Sequence, residues 1–111
     1  MLHFHMQTIE TIQATITTQP AVMLYFSAPT CNVCHALKPK ILASLDHDFK
    51  AVKVISIDIS ETQDIPAHFN VFTIPTVLIF LEGREFIRKS RHMSVDGIMT
   101  ELSRPYKMMF S

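Results

Sequence analysis

The sequence predicts one α/β domain with a central mixed β-sheet and helices on both of its faces. Three observations lead there. Segments with apolar residues three and four apart alternate with short β-rich apolar runs. One of those runs, Ala21 to Phe26, is apolar throughout and reads as a strand covered on both sides. The last two runs are separated only by Glu82-Gly83-Arg84, which reads as a tight hairpin turn. The chain has 111 residues, 48% of them hydrophobic, which is enough for one domain around one core.

The elements follow in order. Thr8 to Thr17 places Ile9, Ile12 and Ile16 on one helical stripe, and Pro20 marks where that helix has ended. Ala21 to Phe26 is the first strand. Ser27-Ala28-Pro29-Thr30 is a turn in which Ser or Thr can cap the next helix. From Cys31 to about Asp46, Cys34, Leu37, Ile41 and Leu45 share a face, while Lys38, Lys40 and Ser44 lie largely off it. Pro39 falls inside this helix and should kink it. Val52 to Ile57 is a second strand, Asp64 to Phe69 a short helix and Thr76 to Leu81 a third strand. Glu85 to Lys89 is its hairpin partner. Ser94 to Ser103 is a last helix with Ser94 as cap and Val95, Ile98 and Leu102 inward. Residues 104–111 show no pattern and read as a C-terminal tail on a core of about residues 8–103. The crossover helices imply parallel pairs in the first half of the sheet and an antiparallel hairpin in the second.

Charge excludes some function classes. Ten Lys and Arg balance ten Asp and Glu, so there is no basic excess for nucleic acid or a membrane surface. No apolar run approaches the roughly 20 residues of a membrane helix. The start, Met1 to Gln7, lacks a basic stretch followed by an apolar one, so no signal peptide is expected and a cytoplasmic location is. In a reducing compartment a lone cysteine pair is catalytic or metal-binding rather than structural.

That pair, Cys31-Asn32-Val33-Cys34, carries the chemistry. The two cysteines are the only ones in the chain. They lie three positions apart where a buried strand gives way to a helix. Such thiols can close a disulfide and trade it with a partner, because a helix start favours the thiolate. Other readings compete. Cys31-x-x-Cys34-His35 also matches the haem attachment pattern of c-type cytochromes, but those surround it with helices and loops rather than a buried strand. Two cysteines supply half of a tetrahedral zinc site, and His3 and His5 are too near the start to place. No metal or cofactor is therefore expected. His35 lies one turn after Cys31 and reads as a solvated side chain. Asp58 ends its strand as a turn cap.

With the elements in register, the chain resembles thioredoxin. The resemblance rests on the strand Met23 to Phe26, the Ser27-Ala28-Pro29 approach, the cysteine pair, Pro39 five residues on, Ile74-Pro75-Thr76 before the strand Val77 to Phe80, and Gly83 in the hairpin. It covers about Ala21 to Leu102. It implies the thioredoxin fold and thiol–disulfide exchange, with Cys31 attacking and Cys34 resolving. It implies a cis Pro75 beside the disulfide and a docking edge made by Thr30, Asn32, Val33, Ile74 and Pro75, where the Ile74 backbone can take a substrate peptide as an added strand. Implied partners are protein disulfide substrates and a thiol reductant system, with the chain a monomer. At the proline, Thr73-Ile74-Pro75 is closer to thioredoxin than to the Thr-Val-Pro of glutaredoxins.

The departures are specific. Thr30 stands where thioredoxins usually carry Trp, and Asn32 and Val33 replace Gly-Pro. Tyr25 replaces the aspartate buried six residues before the first cysteine, and its reference pKa near 10 makes it a poor base. Arg91 replaces a glycine of the docking loop. With Arg88, Lys89 and His92 it would make the rim basic. Thiol–disulfide exchange remains the favoured reading; these departures motivate an alternative, a thioredoxin-like binding or redox-sensing module with slow cysteines.

Overall fold

A computed structural model describes residues 7–111. The reading of the chain's start, and His3 and His5, lie outside them. The elements come in the order expected: α1 (Ile9–Thr18), β1 (Ala21–Ser27), α2 (Asn32–Asp48), β2 (Lys53–Asp58), α3 (Asp64–His68), β3 (Thr76–Leu81), β4 (Arg84–Ser90) and α4 (Val95–Met109).

Each boundary has a local cause. Thr8 and Thr11 form a reciprocal cap: each hydroxyl accepts the other's backbone N–H, at 3.1 and 3.0 Å. Ser94 caps α4 through the Gly97 N–H at 3.0 Å. The β3–β4 hairpin turns on Glu82 and Gly83, at φ 50° and 82°, the positive pair that a two-residue hairpin turn needs. Asp58 ends β2 as expected, its carboxylate accepting the Ser60 N–H at 2.9 Å and the Ser60 hydroxyl at 2.6 Å. Those two bonds hold its pKa below the ordinary value.

The sheet order is β2-β1-β3-β4. β1 and β2 are parallel; β1–β3 and β3–β4 are antiparallel. The expectation of parallel pairs thus holds for one pair. The reason is length. α2, with 17 residues, spans about 25 Å and returns the chain to the start of the sheet. α3, with five, spans only about 7 Å, so the chain enters β3 at the end where it left β2. Register agrees: Ser27 faces Asp58, and the adjacent Phe26 faces Thr76.

β1 and β3 are the middle strands, and all six residues of β3 are buried. Their alternation splits the core in two. Ala21, Met23, Tyr25, Val77 and Ile79 pack with Cys34, Ile41, Leu45, Ile98 and Leu102 of α2 and α4. Val22, Leu24, Phe26, Leu78 and Phe80 pack with Ile12, Ile16, Ile65 and Phe69 on the α1 and α3 side. Each large side chain buried this way contributes about 1.5–3 kcal/mol. The doubly covered sheet of the sequence reading is therefore present.

The segment read as a tail is a correction. α4 runs on through Pro105 to Met109. Proline forfeits one helical hydrogen bond and crowds the preceding turn. Tertiary contact compensates: the Tyr106 ring packs edge-on against Phe49 with centroids 5.0 Å apart. The Tyr106 hydroxyl also accepts the Ala51 N–H at 3.0 Å.

Candidate active site

The parallel β1–β2 pair and the reversed β3 bring two loops to one end of the sheet. One follows β1 and carries the cysteines; the other precedes β3 and carries Pro75. Cys31 and Cys34 are joined as a disulfide, their Cα atoms 5.3 Å apart, within the span a bridge closes without moving the backbone. Cys34 is buried at 1% exposure while Cys31 is half-buried. Cys31 and Ile74 both pack against the core cluster that contains Cys34. The Ile74–Pro75 bond is cis.

The helix cap differs from expectation. Cys31, rather than Thr30, occupies the N-cap of α2, and its Sγ accepts the Cys34 N–H at 3.2 Å. The sulfur thus faces the unpaired N–H groups and positive dipole end of a 17-residue helix. Both favour negative charge on that atom. Thr30 and Asn32 are exposed, Val33 is 62% exposed, Ile74 is half-buried and Pro75 is buried.

Tyr25 lies under the pair. It is 1% exposed, and its hydroxyl donates to the Cys34 carbonyl at 2.7 Å. Burial raises its pKa above the ordinary value of 10.0 because the phenolate would lose its water. The neutral form is favoured in the folded chain, so the stability this gives is whole below pH 10.0 and is lost as pH rises through the folded pKa. Tyr25→Phe is expected to lower stability by about 1 kcal/mol at pH 7, the worth of one hydrogen bond. It should also flatten the decline above pH 10. Denaturant titrations of both chains at neutral and alkaline pH check this; parallel curves at every pH would contradict it.

Other positioning residues escape sequence reading. His35 is exposed, yet its Nε2 contacts the Pro29 carbonyl oxygen at 2.8 Å. A carbonyl only accepts, so Nε2–H is the donor, and the ring ties α2 to the loop before Cys31. The buried Thr76 hydroxyl donates to the Thr73 carbonyl at 2.7 Å and meets Ser90 Oγ at 3.1 Å, closing the turn around Pro75. The Arg91 N–H donates to the Pro75 carbonyl at 2.8 Å. Arg91 has φ 61°, a left-handed backbone that favours glycine. Two of these carried a readable signal: Thr76, directly after Ile-Pro, and Arg91, at a position where the resemblance expects glycine.

The basic rim is only partly present. Arg88 bonds Glu85 at 2.8 and 2.9 Å and the Phe69 and Asn70 carbonyls at 2.8 and 3.2 Å. Lys89 pairs with Glu101 at 2.9 Å. The Glu85 hydrogen bond holds Arg88 charged, and Arg88 in turn lowers the pKa of Glu85. Their charges are thereby offset, leaving Arg91 and His92 exposed.

A redox-capable cysteine pair at a helix start, at the same end of a mixed sheet as a cis-proline loop, defines a dithiol–disulfide protein. The family model described as Thioredoxin matches residues 4–104, and the chain belongs to the thioredoxin family. It is 34% identical over 85 residues to "Thioredoxin-like protein YdfQ" of Bacillus subtilis (strain 168), a match covering 77% of this chain and 75% of that protein. Thioredoxin 1 of Thermosipho africanus TCF52B superposes with a TM-score of 0.72 at 29% identity, covering 81% of this chain and 99% of that one. A mutant thioredoxin of Halobacterium salinarum NRC-1 shares the fold, with a TM-score of 0.76 at 22% identity over 90% of this chain and 86% of that one. The α/β thioredoxin fold expected from the sequence is the fold observed.

Proposed function

We propose that this chain is a thiol–disulfide oxidoreductase acting on protein disulfides in the cytoplasm, resupplied with electrons by a thiol reductant system. The observation that carries the reading is Cys31 at the cap of α2, its sulfur accepting a helix N–H while Cys34 is buried one turn on. In the reduced chain the Cys31 thiolate attacks one sulfur of a substrate disulfide. The substrate S–S bond breaks, a mixed disulfide forms, and the departing substrate thiolate takes up a proton. Cys34 then loses its proton and attacks Cys31 Sγ. That step closes the Cys31–Cys34 disulfide and releases the second substrate thiol, so two electrons pass to the substrate. Thr30, Asn32, Val33, Ile74 and Pro75 form the docking edge, with the Ile74 backbone taking the substrate as an added strand.

The experiment is reduction of insulin disulfides by the chain in the presence of a dithiol. Acceleration over the dithiol alone is expected. No acceleration from a chain whose cysteines cycle between disulfide and dithiol would favour the second reading, a binding or redox-sensing module. That reading draws on Tyr25: it holds the Cys34 carbonyl as a donor where a proton acceptor would speed resolution.

A further inference from the structure

α4 presents a second surface, at the far end of α2 from the cysteines. The helix has 15 residues, about 22 Å. Its inner face, with Ile98 and Leu102, is in the core. Its outer face carries Asp96, Thr100, Ser103 and Lys107, successive at three- and four-residue spacing and so on one stripe. That stripe borders an open groove of about 1210 Å³ between α4 and the end of α2. Phe49 and Met99 line it with Met108 and Phe110, which are 72% and 42% exposed. Much of this surface comes from residues 105–111, beyond the family match at residue 104.

The charges on this face are arranged by sign along the helix. Asp96 stands in the first turn; Arg104 and Lys107 stand towards its end. Among the described residues none of the three has an ion-pair partner within the chain, whereas Glu101 on the adjoining flank is held by Lys89. Two copies of α4 laid antiparallel about a two-fold axis passing between Thr100 and Ser103 would set Asp96 of each against Lys107 of the other. Thr100 would then face Ser103 at the centre. An isologous contact requires such self-complementarity, because each pair occurs twice. The same arrangement carries Met108 of one copy towards the Asp96–Met99 end of the other's groove. A formal net charge of zero leaves no overall repulsion between copies.

We infer that the outer face of α4 docks a second copy of this chain as an antiparallel, two-fold dimer. A single helix face falls short of the roughly 800 Å² per partner of a standard stable interface, so the dimer is weak and forms at high concentration. It leaves the thiols open: Cys31 caps the opposite end of α2 from Asp48, which borders the groove. The inference therefore stands or falls independently of the exchange reaction.

Sedimentation velocity of the full chain from about 10 µM to 1 mM, a range suited to weak interfaces, tests it. The mean mass should rise towards twice the chain mass. Lys107→Glu and Asp96→Lys each place like charges at both corners, and each should weaken association at least tenfold without altering insulin reduction. An equimolar mixture of the two variants restores opposite charges at both corners and should associate again. Both positions are exposed, and circular dichroism checks that each variant folds. A chain monomeric at the top concentration, association indifferent to both reversals, or a mixture that stays monomeric would each overturn the inference.

Discussion

Cys31→Ser is expected to reduce insulin no faster than the dithiol alone, whereas Cys34→Ser should stop after one event with substrate attached. The asymmetry follows from where the two sulfurs lie. Cys31 is half-buried at the helix cap with an N–H aimed at its sulfur, and Cys34 is at 1% exposure beneath it. An incoming disulfide can be attacked in line only by the outer sulfur, and only a thiolate attacks. The helix end should hold Cys31 below the reference thiol pKa of about 8.5. Cys34→Ser retains that nucleophile but lacks the group that releases it, so the mixed disulfide accumulates to one per chain. Mass spectrometry before and after reductant counts the adducts. Iodoacetamide rates against pH in the two variants then rank the thiols. Faster alkylation of Cys34 at neutral pH, or a stable adduct on Cys31→Ser, would reverse the roles.

The residues that were legible in the sequence are those whose chemistry acts locally. Buried β1 and β3 show as runs without polar relief, the hairpin shows in Gly83, and the cysteine pair is plain at a strand–helix junction. What was not legible depends on contacts distant along the chain. Pro105 has a local meaning, helix breaker, which is overridden by Tyr106 packing on Phe49 some 57 positions away. The direction of β3 hangs on a helix too short to cross the sheet. Arg88 and Lys89 look like free surface charge until the fold brings Glu85, Glu101 and the carbonyls after α3 to them. Arg91 shows the opposite case. The resemblance marks it as a glycine position, and its φ of 61° supplies the physical reason.

Tyr25→Asp is expected to quicken decay of the mixed disulfide near neutral pH while costing the fold several kcal/mol. Resolution requires Cys34 to lose a proton inside the core. The Tyr25 hydroxyl lies in that region and already donates to the Cys34 carbonyl at 2.7 Å. With a pKa raised by burial above 10.0, it cannot act as a base at pH 7. In this chain the proton must therefore pass to water or to another group, and resolution is expected to limit turnover. A buried carboxylate at position 25 would have its pKa pushed up towards neutrality by the same desolvation. A base so tuned is worth roughly 10²-fold or more in a proton transfer. The structural cost is also large. Losing a buried aromatic ring costs about 3–5 kcal/mol, and a carboxyl in its place adds desolvation. A melting temperature lower by more than about 10 °C is expected, so the comparison belongs at low temperature, with folding verified by circular dichroism. Stopped-flow decay of a preformed Cys31 mixed disulfide is the measurement, made across pH. Wild-type decay should climb steadily with pH as Cys34 ionises; the Tyr25→Asp rate should be at least tenfold higher at pH 7 and flatter above it. Tyr25→Phe, which removes the hydroxyl and supplies no base, should track wild type. Equal or slower decay in a folded Tyr25→Asp chain would remove position 25 from the step that limits exchange.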